Sequence, residues 1–266
     1  MPSPIYEAHN LCPSYLLRYS WTAFPAKGQR LPKTLPEGMM KNLAAAWESD
    51  GIRLLEHRWE DDRFQATFST TPQVAPTFLA ARAKGRLQHA LRQAGLTMKF
   101  ARNFSVRALG NNTRETVERY VREQFEGGDF ADVNYCERLR EVSWTNPQVD
   151  LRQALCTDSG RYWYVLHLVL VTSDRYRIDA GSTARVISEG CRAVAGKQKY
   201  GLSSVSMMPD HLHLALRGAP EQSPEEIALC FQNNLAWKLG QVRIWEPNYY
   251  AGTTGEYTMQ AVRTRG

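Results

Sequence analysis

Paired cysteines are missing from this sequence of 266 residues. Its five cysteines are scattered and none forms a C-x-x-C pair, which disfavours a disulfide framework and a zinc site built on thiolates. No apolar run reaches the ~20 residues of a membrane-spanning helix, because His167 interrupts the longest run, residues 163–171. The first residues also lack the basic and apolar stretches of a signal peptide. We therefore expect a cytoplasmic protein with reduced thiols and no membrane partner.

Acidic residues are absent from positions 63–114, a stretch of 52 residues that would hold about five at the chain's average frequency. The same stretch contains nine lysines and arginines, and the whole chain has a formal net charge of +6. Such a segment attracts phosphate groups and releases their counterions, which favours a polyanionic partner. The alternative interpretation is a solvated basic face that binds nothing.

The same order of helical and extended patterns occurs twice along the chain. Each half has an apolar strand, a helix, two strands that end in period-two alternation, and a second helix. The first strands cover 15–24 and 164–173, the first helices 39–49 and 183–195, and the second helices 74–93 and a segment beginning at Ser223. Ser223 and Glu226 form a capping box around Pro224, which marks that helix start.

The end of each half carries a further match, in which Gly110 corresponds to Gly255 and Thr113 to Thr258. These correspondences predict an α+β chain built by internal duplication of a β-α-β-β-α unit. The predicted organisation is a first repeat at 1–128, a polar connector at 129–160 and a second repeat at 161–266. The alternative is a coincidence between two ordinary α+β halves.

The motif with the clearest chemistry is His211-Leu212-His213, at the start of an alternating strand. Alternate residues of a strand share a face, so the two imidazoles lie ~6.6 Å apart along it. Neutral imidazole is a common metal ligand, and the pair therefore predicts a metal site. We interpret Asp210, which precedes the motif, as a turn residue rather than as a partner of His211.

The segment MPDHLHLAL resembles the His-hydrophobic-His signature of the single-tyrosine HUH transposases, the insertion-sequence-200-like group that includes the REP-associated tyrosine transposases. The resemblance implies ferredoxin-like domains, each an antiparallel sheet with helices on one face. It implies cleavage of single-stranded DNA with Mg²⁺ or Mn²⁺ held by the two histidines. It also implies a tyrosine nucleophile on a later helix, a glutamine four residues on as third ligand, and a dimeric arrangement.

The two halves depart from that family pattern in opposite ways. The second half has His211 and His213, but Arg265 stands at its matching tyrosine position. The first half lacks the histidines and retains Tyr120 and Gln124, which share a helix face at a spacing of i and i+4. The resemblance thus implies one composite site per chain, with Tyr120 as nucleophile and His211, His213 and Gln124 as metal ligands. Alternatively, Tyr120 belongs to an apolar stripe of the core.

This composite site would make the chain a monomeric pseudo-dimer, whose halves share either a continuous sheet or a pseudo-two-fold interface. A true homodimer is also compatible with the sequence. The segment AKGRLQHAL resembles the family's basic hairpin-binding segment. The predicted DNA-binding residues are Arg82, Lys84, Arg86, Arg92, Lys99 and Arg102.

Three functions remain open at this point. The first is a strand-transferring nuclease acting beside a DNA hairpin, in the cytoplasm and associated with the nucleoid. The second is a domesticated hairpin-binding protein with little or no catalysis. The third is a metal-dependent protein unrelated to DNA.

Overall fold

A computed structural model of the chain describes residues 4–110, 119, 123, 132–240 and 243–255. Its five described helices are α1 to α5, at Met39–Glu48, Pro76–Gln93, Val133–Val142, Ser182–Gln198 and Pro224–Lys238. Its described strands in the first half are β1 to β5, at Ser14–Leu16, Arg18–Pro25, Ile52–Trp59, Phe64–Thr70 and Phe100–Leu109. Those that follow are β6 to β12, at Trp144–Thr145, Leu155–Cys156, Gly160–Trp163, Val165–Thr172, Gly201–Met207, His211–Arg217 and Trp245–Thr253.

Local sequence signals account for several of these elements. Helix α5 begins with the expected capping box, in which Ser223 and Glu226 bond each other's backbone N–H groups. Helix α2 begins at Pro76, whose fixed φ suits a first helical turn, and buries a stripe that includes Leu79 and Leu87. In β11 the leucines are buried on one face and the histidines occupy the other, as the alternation predicted.

The strands form two sheets of six strands each, and the predicted α+β class is confirmed. Four antiparallel strands of each sheet follow the same order, β3-β4-β2-β5 in one and β10-β11-β9-β12 in the other. Helices α1 and α2 connect these strands in the first half, and α4 and α5 occupy the same two connections in the second. A register shift interrupts each edge hairpin at a matching point, after Leu54 and after Leu202.

These matching registers define which residues of the two halves correspond. Trp59 lies opposite Phe64 in the first hairpin, and Met207 lies opposite Leu212 in the second. Arg63 and Gln65 therefore hold the positions of His211 and His213. The first half has no histidine at either position.

The halves do not form one continuous sheet in the described residues, but they exchange short strands. Strand β1 pairs in parallel with β12 of the other sheet, and β8 pairs in parallel with β5. The chain crosses between the sheets at Leu17 and Tyr164, both fully buried. A single cluster of buried apolar residues includes side chains from both halves. The two sheets are thus held together by backbone pairing as well as by a shared core.

Two glycines meet where the halves touch. The Gly110 N–H donates to the Gly255 carbonyl across 3.2 Å. A Cβ at Gly110 would collide with the carbonyl oxygen of Thr253, and one at Gly255 would collide with that of Ala108. This reciprocal contact joins the two glycines that the sequence comparison had matched. The close backbone approach explains why no side chain fits at either position.

The segment predicted as a connector is structured where it is described. Its helix α3 bonds the second half through the Tyr135 hydroxyl, which donates to the Ile178 carbonyl at 2.5 Å. Its strand β6 pairs with β10 and forms one edge of the second sheet. The domain boundaries at 128 and 160 stay a prediction. Among the described residues, no helix combines the length and the apolar character needed to cross a bilayer.

Candidate functional site

Three histidines meet on one face of the second sheet, opposite the face on which the leucines of β11 are buried. His211 and His213 lie on one face of β11, with ring centroids 4.8 Å apart at an interplanar angle of 71°. The third is His167 on the neighbouring strand β9, whose ring stacks on His213 with centroids 5.2 Å apart. His213 is 4% exposed, whereas about a quarter of the His211 side chain is exposed to solvent.

His213 is fixed by a bond to this third histidine. Its Nδ1 lies 2.9 Å from the Nε2 of His167. Burial lowers the pKa of His213 to about 2, with smaller contributions from His167 and His211. Burial also lowers the pKa of His167 to about 4, so both rings are neutral at pH 7. If the Nδ1 of His213 donates in this bond, its Nε2 carries the lone pair that a metal ion requires.

His211 is fixed by a carboxylate. Its Nδ1 lies 2.6 Å from Asp210 Oδ1, and Arg175 donates to the other carboxylate oxygen at 2.9 Å. Burial raises the pKa of Asp210, but the bonds from His211 and Arg175 outweigh it, and the net shift is downward. Asp210 therefore stays ionised and can accept a hydrogen bond from the Nδ1–H group of His211. Our interpretation of Asp210 as a turn residue alone is incomplete, because it also orients His211.

The histidine pair fits the requirements of a divalent metal site in its described part. Metal-ligating histidines commonly use one ring nitrogen for the ion and bond the other to a carboxylate or similar partner. His211 and His213 both have a partner at Nδ1, so Nε2 is the atom that each would offer to a metal ion. No group of three histidine, cysteine or carboxylate residues suited to a metal occurs among the described residues. Further ligands would come from residues outside that described set, from an amide, or from substrate or water.

His167 is a site residue that the sequence analysis missed. The only signal was that a polar residue interrupts an otherwise apolar strand. In the first half, the positions of His167 and His213 are held by Ser20 and Gln65, which make a weak contact at 3.4 Å. Arg63, at the His211 position, instead pairs with Glu60 at 2.7 Å. The described residues of the first half thus retain a polar contact at this place without any imidazole.

Tyr120 and Gln124 lie outside the described residues, so the composite site stays a prediction. Their neighbours Arg119 and Glu123 are described as helical. These two residues form an ion pair at 3.8 Å with a spacing of i and i+4.

The predicted DNA-binding residues divide into two groups. Arg82, Arg92, Lys99 and Arg102 are exposed. In contrast, Lys84 is half-buried and donates to the Ala101 carbonyl at 2.6 Å, and its pKa is lowered by burial and by Arg102. Arg86 donates to Asp50 at 2.8 Å and lowers the pKa of that carboxyl group. Lys84 and Arg86 therefore have structural partners within the protein.

All five cysteines lie in the described part of the chain and are free thiols, in agreement with the expected reduced state. Cys191 is fully buried, and burial raises the pKa of its thiol. No thiol takes part in the histidine cluster described above.

Comparison with known proteins finds a family similar to this histidine-bearing half. Residues 161–264 match the family model described as "Transposase IS200 like". The second half of the chain is similar to the IS200-like transposases. Its matched segment includes the complete histidine cluster and the strands that carry it.

Individual proteins give further comparisons with this transposase segment. The ISDra2 transposase TnpA of Deinococcus radiodurans is 23% identical over 113 residues, which covers 38% of this chain and 81% of that protein. The ligand-free regulatory subunit of aspartate kinase from Thermus thermophilus aligns with a TM-score of 0.21 at 10% identity, covering 82% of this chain and 93% of that one. The second similarity is too weak to carry an argument.

Proposed function

We propose that this protein is a metal-dependent single-stranded DNA endonuclease and strand transferase with one composite active site per chain. The observation that carries the proposal is the pair His211 and His213, both anchored through Nδ1, within the segment that matches the IS200-like transposases. Mg²⁺ or Mn²⁺ is the proposed cofactor, since imidazole nitrogen combined with amide, water and phosphate oxygen suits these ions. Gln124 is the proposed amide ligand.

The proposed nucleophile is Tyr120, supplied by the first half. A phenol has a pKa near ~10 and attacks poorly at pH 7 unless it loses its proton. The metal, when bound, supplies Lewis acidity at the scissile phosphate. The Tyr120 oxygen forms a bond to phosphorus, the bond from phosphorus to the 3′ oxygen breaks, and that oxygen takes up a proton. The products are a 5′-phosphotyrosyl link and a free 3′-hydroxyl, which can reverse the reaction.

We further propose that the two halves arose from one duplicated ferredoxin-like unit. The shared strand order, the matching register shifts and the reciprocal contact of Gly110 and Gly255 support this proposal. A monomer would then combine the metal ligands of one half with the nucleophile of the other. Loss of the histidines in the first half leaves a single site, because Arg63 and Gln65 hold those positions.

The proposed substrate is a DNA hairpin with single-stranded flanks. The proposed phosphate contacts are four exposed basic side chains, those of Arg82, Arg92, Lys99 and Arg102. Contacts to phosphate position a nucleic acid without reading its sequence. Lys84 and Arg86 would support that surface rather than bind DNA directly. Binding would thus involve mainly the first half, and chemistry would involve the histidines of the second.

The test is cleavage of a labelled hairpin oligonucleotide in Mn²⁺. The native chain should give a covalent, protease-sensitive adduct, and Tyr120→Phe and His213→Ala should each abolish it. His57→Ala is the matched control, because this exposed histidine lies on β3, outside the predicted hairpin-binding segment, and should leave the yield unchanged. Cleavage by the Tyr120→Phe variant would refute the proposal. Binding of the hairpin without any adduct would support the alternative of a DNA-binding protein that has lost catalysis.

A further inference from the structure

The loop after β9 presents an aromatic side chain to solvent. Tyr176 is 77% exposed, the largest exposed fraction among the large hydrophobic residues of the described chain. A single exposed aromatic residue is ordinary in a globular protein. The surroundings of Tyr176 make it informative, because its backbone is tightly held while its ring is not buried.

Hydrogen bonds fix the backbone of this loop on both sides of the ring. The Tyr176 N–H donates to the Ser173 carbonyl at 3.0 Å, and the Tyr176 carbonyl accepts from the Thr172 hydroxyl at 2.7 Å. The Ile178 N–H donates to the Pro209 carbonyl at 2.7 Å. The loop is therefore tied to the turn that precedes His211.

The loop also contains unfavourable backbone conformations. Asp174 has φ of 53° and Arg175 has φ of 51°, values that non-glycine residues seldom adopt. Such conformations cost energy and persist only where surrounding contacts enforce them, often at functional sites. Here the Asp174 N–H donates to Glu246 at 2.6 Å and Arg175 binds Asp210. These contacts thus hold the loop in an energetically unfavourable backbone conformation in which the Tyr176 ring is exposed to solvent.

Hydrogen bonds link the backbone of Tyr176 to the residue that precedes His211. The Thr172 hydroxyl is within hydrogen-bond distance of both the Tyr176 and the Asp210 carbonyls, at 2.7 and 2.9 Å. Arg175, the residue before Tyr176, contacts the carboxylate that orients His211. A nucleotide whose phosphate lies at the histidines would therefore have its neighbouring bases near this loop.

Tyr176 lies between two arginines in the sequence. Arg175 pairs with Asp210 at 2.9 Å, and the Arg177 guanidinium lies 3.6 Å from the ring centroid of Tyr135 and 3.7 Å from Asp132. Both arginine side chains are still more than half exposed, and surfaces that bind single strands combine basic side chains with exposed aromatic rings. Every base offers a face for stacking, but a duplex hides that face.

We infer that Tyr176 stacks on one unpaired base of single-stranded DNA, adjacent to the phosphate bound at His211 and His213. This inference rests on the proposed function for the class of ligand, but it does not require metal or catalysis. Tyr176 lies outside the histidine motif, so no motif in the sequence identifies it as a site residue.

Fluorescence anisotropy with a hairpin oligonucleotide that carries a single-stranded flank, in buffer containing EDTA, tests this role. Tyr176→Ala should weaken binding about tenfold, the effect expected for one lost stacking contact. Tyr176→Phe should bind as the native chain does, since stacking needs the ring and not the hydroxyl. Tyr15→Ala is the matched control, because Tyr15 is an exposed tyrosine on β1 and should have no effect.

An abasic scan of the oligonucleotide makes the test independent of any folding defect in the alanine variant. One abasic position should weaken binding by the native chain, and Tyr176→Ala should lose nothing more at that position. If the native chain binds but no single abasic position matters, or if Tyr176→Ala binds normally, the stacking role is wrong while the proposed function stands. If the native chain binds no oligonucleotide, both are wrong.

Discussion

Substitution of Gly110 by alanine tests whether the two halves are one structural unit. The added methyl group would meet the Thr253 carbonyl and lie 3.1 Å from the Thr254 Cα, both backbone atoms that cannot rotate away. Relief requires the halves to separate there, which would weaken the bond from Gly110 to Gly255 and that from Thr253 Oγ1 to the Leu109 carbonyl. Overpacking together with two weakened hydrogen bonds should destabilise the protein by about 3 kcal/mol.

Urea unfolding followed by tryptophan fluorescence measures this free energy. Gly85→Ala provides the control, because Gly85 lies inside α2 with nothing within 4 Å of a Cβ, and should gain up to about 1 kcal/mol. Gly255→Ala should resemble Gly110→Ala, and the double variant should cost less than the two single effects combined, since the first methyl already opens the contact. A Gly110→Ala protein within about 0.5 kcal/mol of native stability would refute the reasoning.

Three further predictions concern the site and its basic surface. His167→Leu should weaken Mn²⁺ binding by about 10- to 100-fold, measured by electron paramagnetic resonance, because His213 loses the partner that orients it; unchanged affinity would contradict the geometry. Arg92→Gln should lower the salt slope of DNA binding by about 1. Arg86→Gln should chiefly lower stability, because Asp50 loses the arginine that donates hydrogen bonds to it and keeps only Arg82 at 4.0 Å. The bond from Arg86 lowers the pKa of Asp50, so its stabilisation is present above the ordinary carboxyl pKa and lost as pH falls through the folded value. The free energy of unfolding of Asp50→Asn should therefore fall less than that of the native chain when the pH drops below about 4. An equal fall in both proteins would contradict this prediction.

Short-range patterns in the sequence predicted much of the fold. Alternation in residues 211–217 placed both histidines on one face of β11, and Ser223 with Glu226 marked the start of α5. These signals involve residues that are close together in the sequence, so they can be read from one sequence alone. The two glycines that the sequence pairs, Gly110 and Gly255, lie in contact, because the close backbone approach demands glycine on both sides.

Long-range pairing was beyond the sequence patterns. Nothing local indicates that β1 and β8 each join the sheet of the other half, since both are short and their partners are distant in the chain. The partner of His213 was missed for the same reason, because His167 lies on another strand. Lys84 and Arg86 were predicted as DNA ligands because charge is visible in a sequence while the groups that neutralise it are not.

The central claim, that a phenol of the first half serves the imidazole pair of the second, is tested most directly by locating the covalent attachment. After reaction with a hairpin oligonucleotide in Mn²⁺, proteolysis and mass spectrometry should find the 5′-phosphonucleotide on the peptide that contains Tyr120. The His211→Ala chain should give no such peptide. Attachment to any other residue, or strand cleavage that leaves Tyr120 unmodified throughout the reaction, would contradict the account.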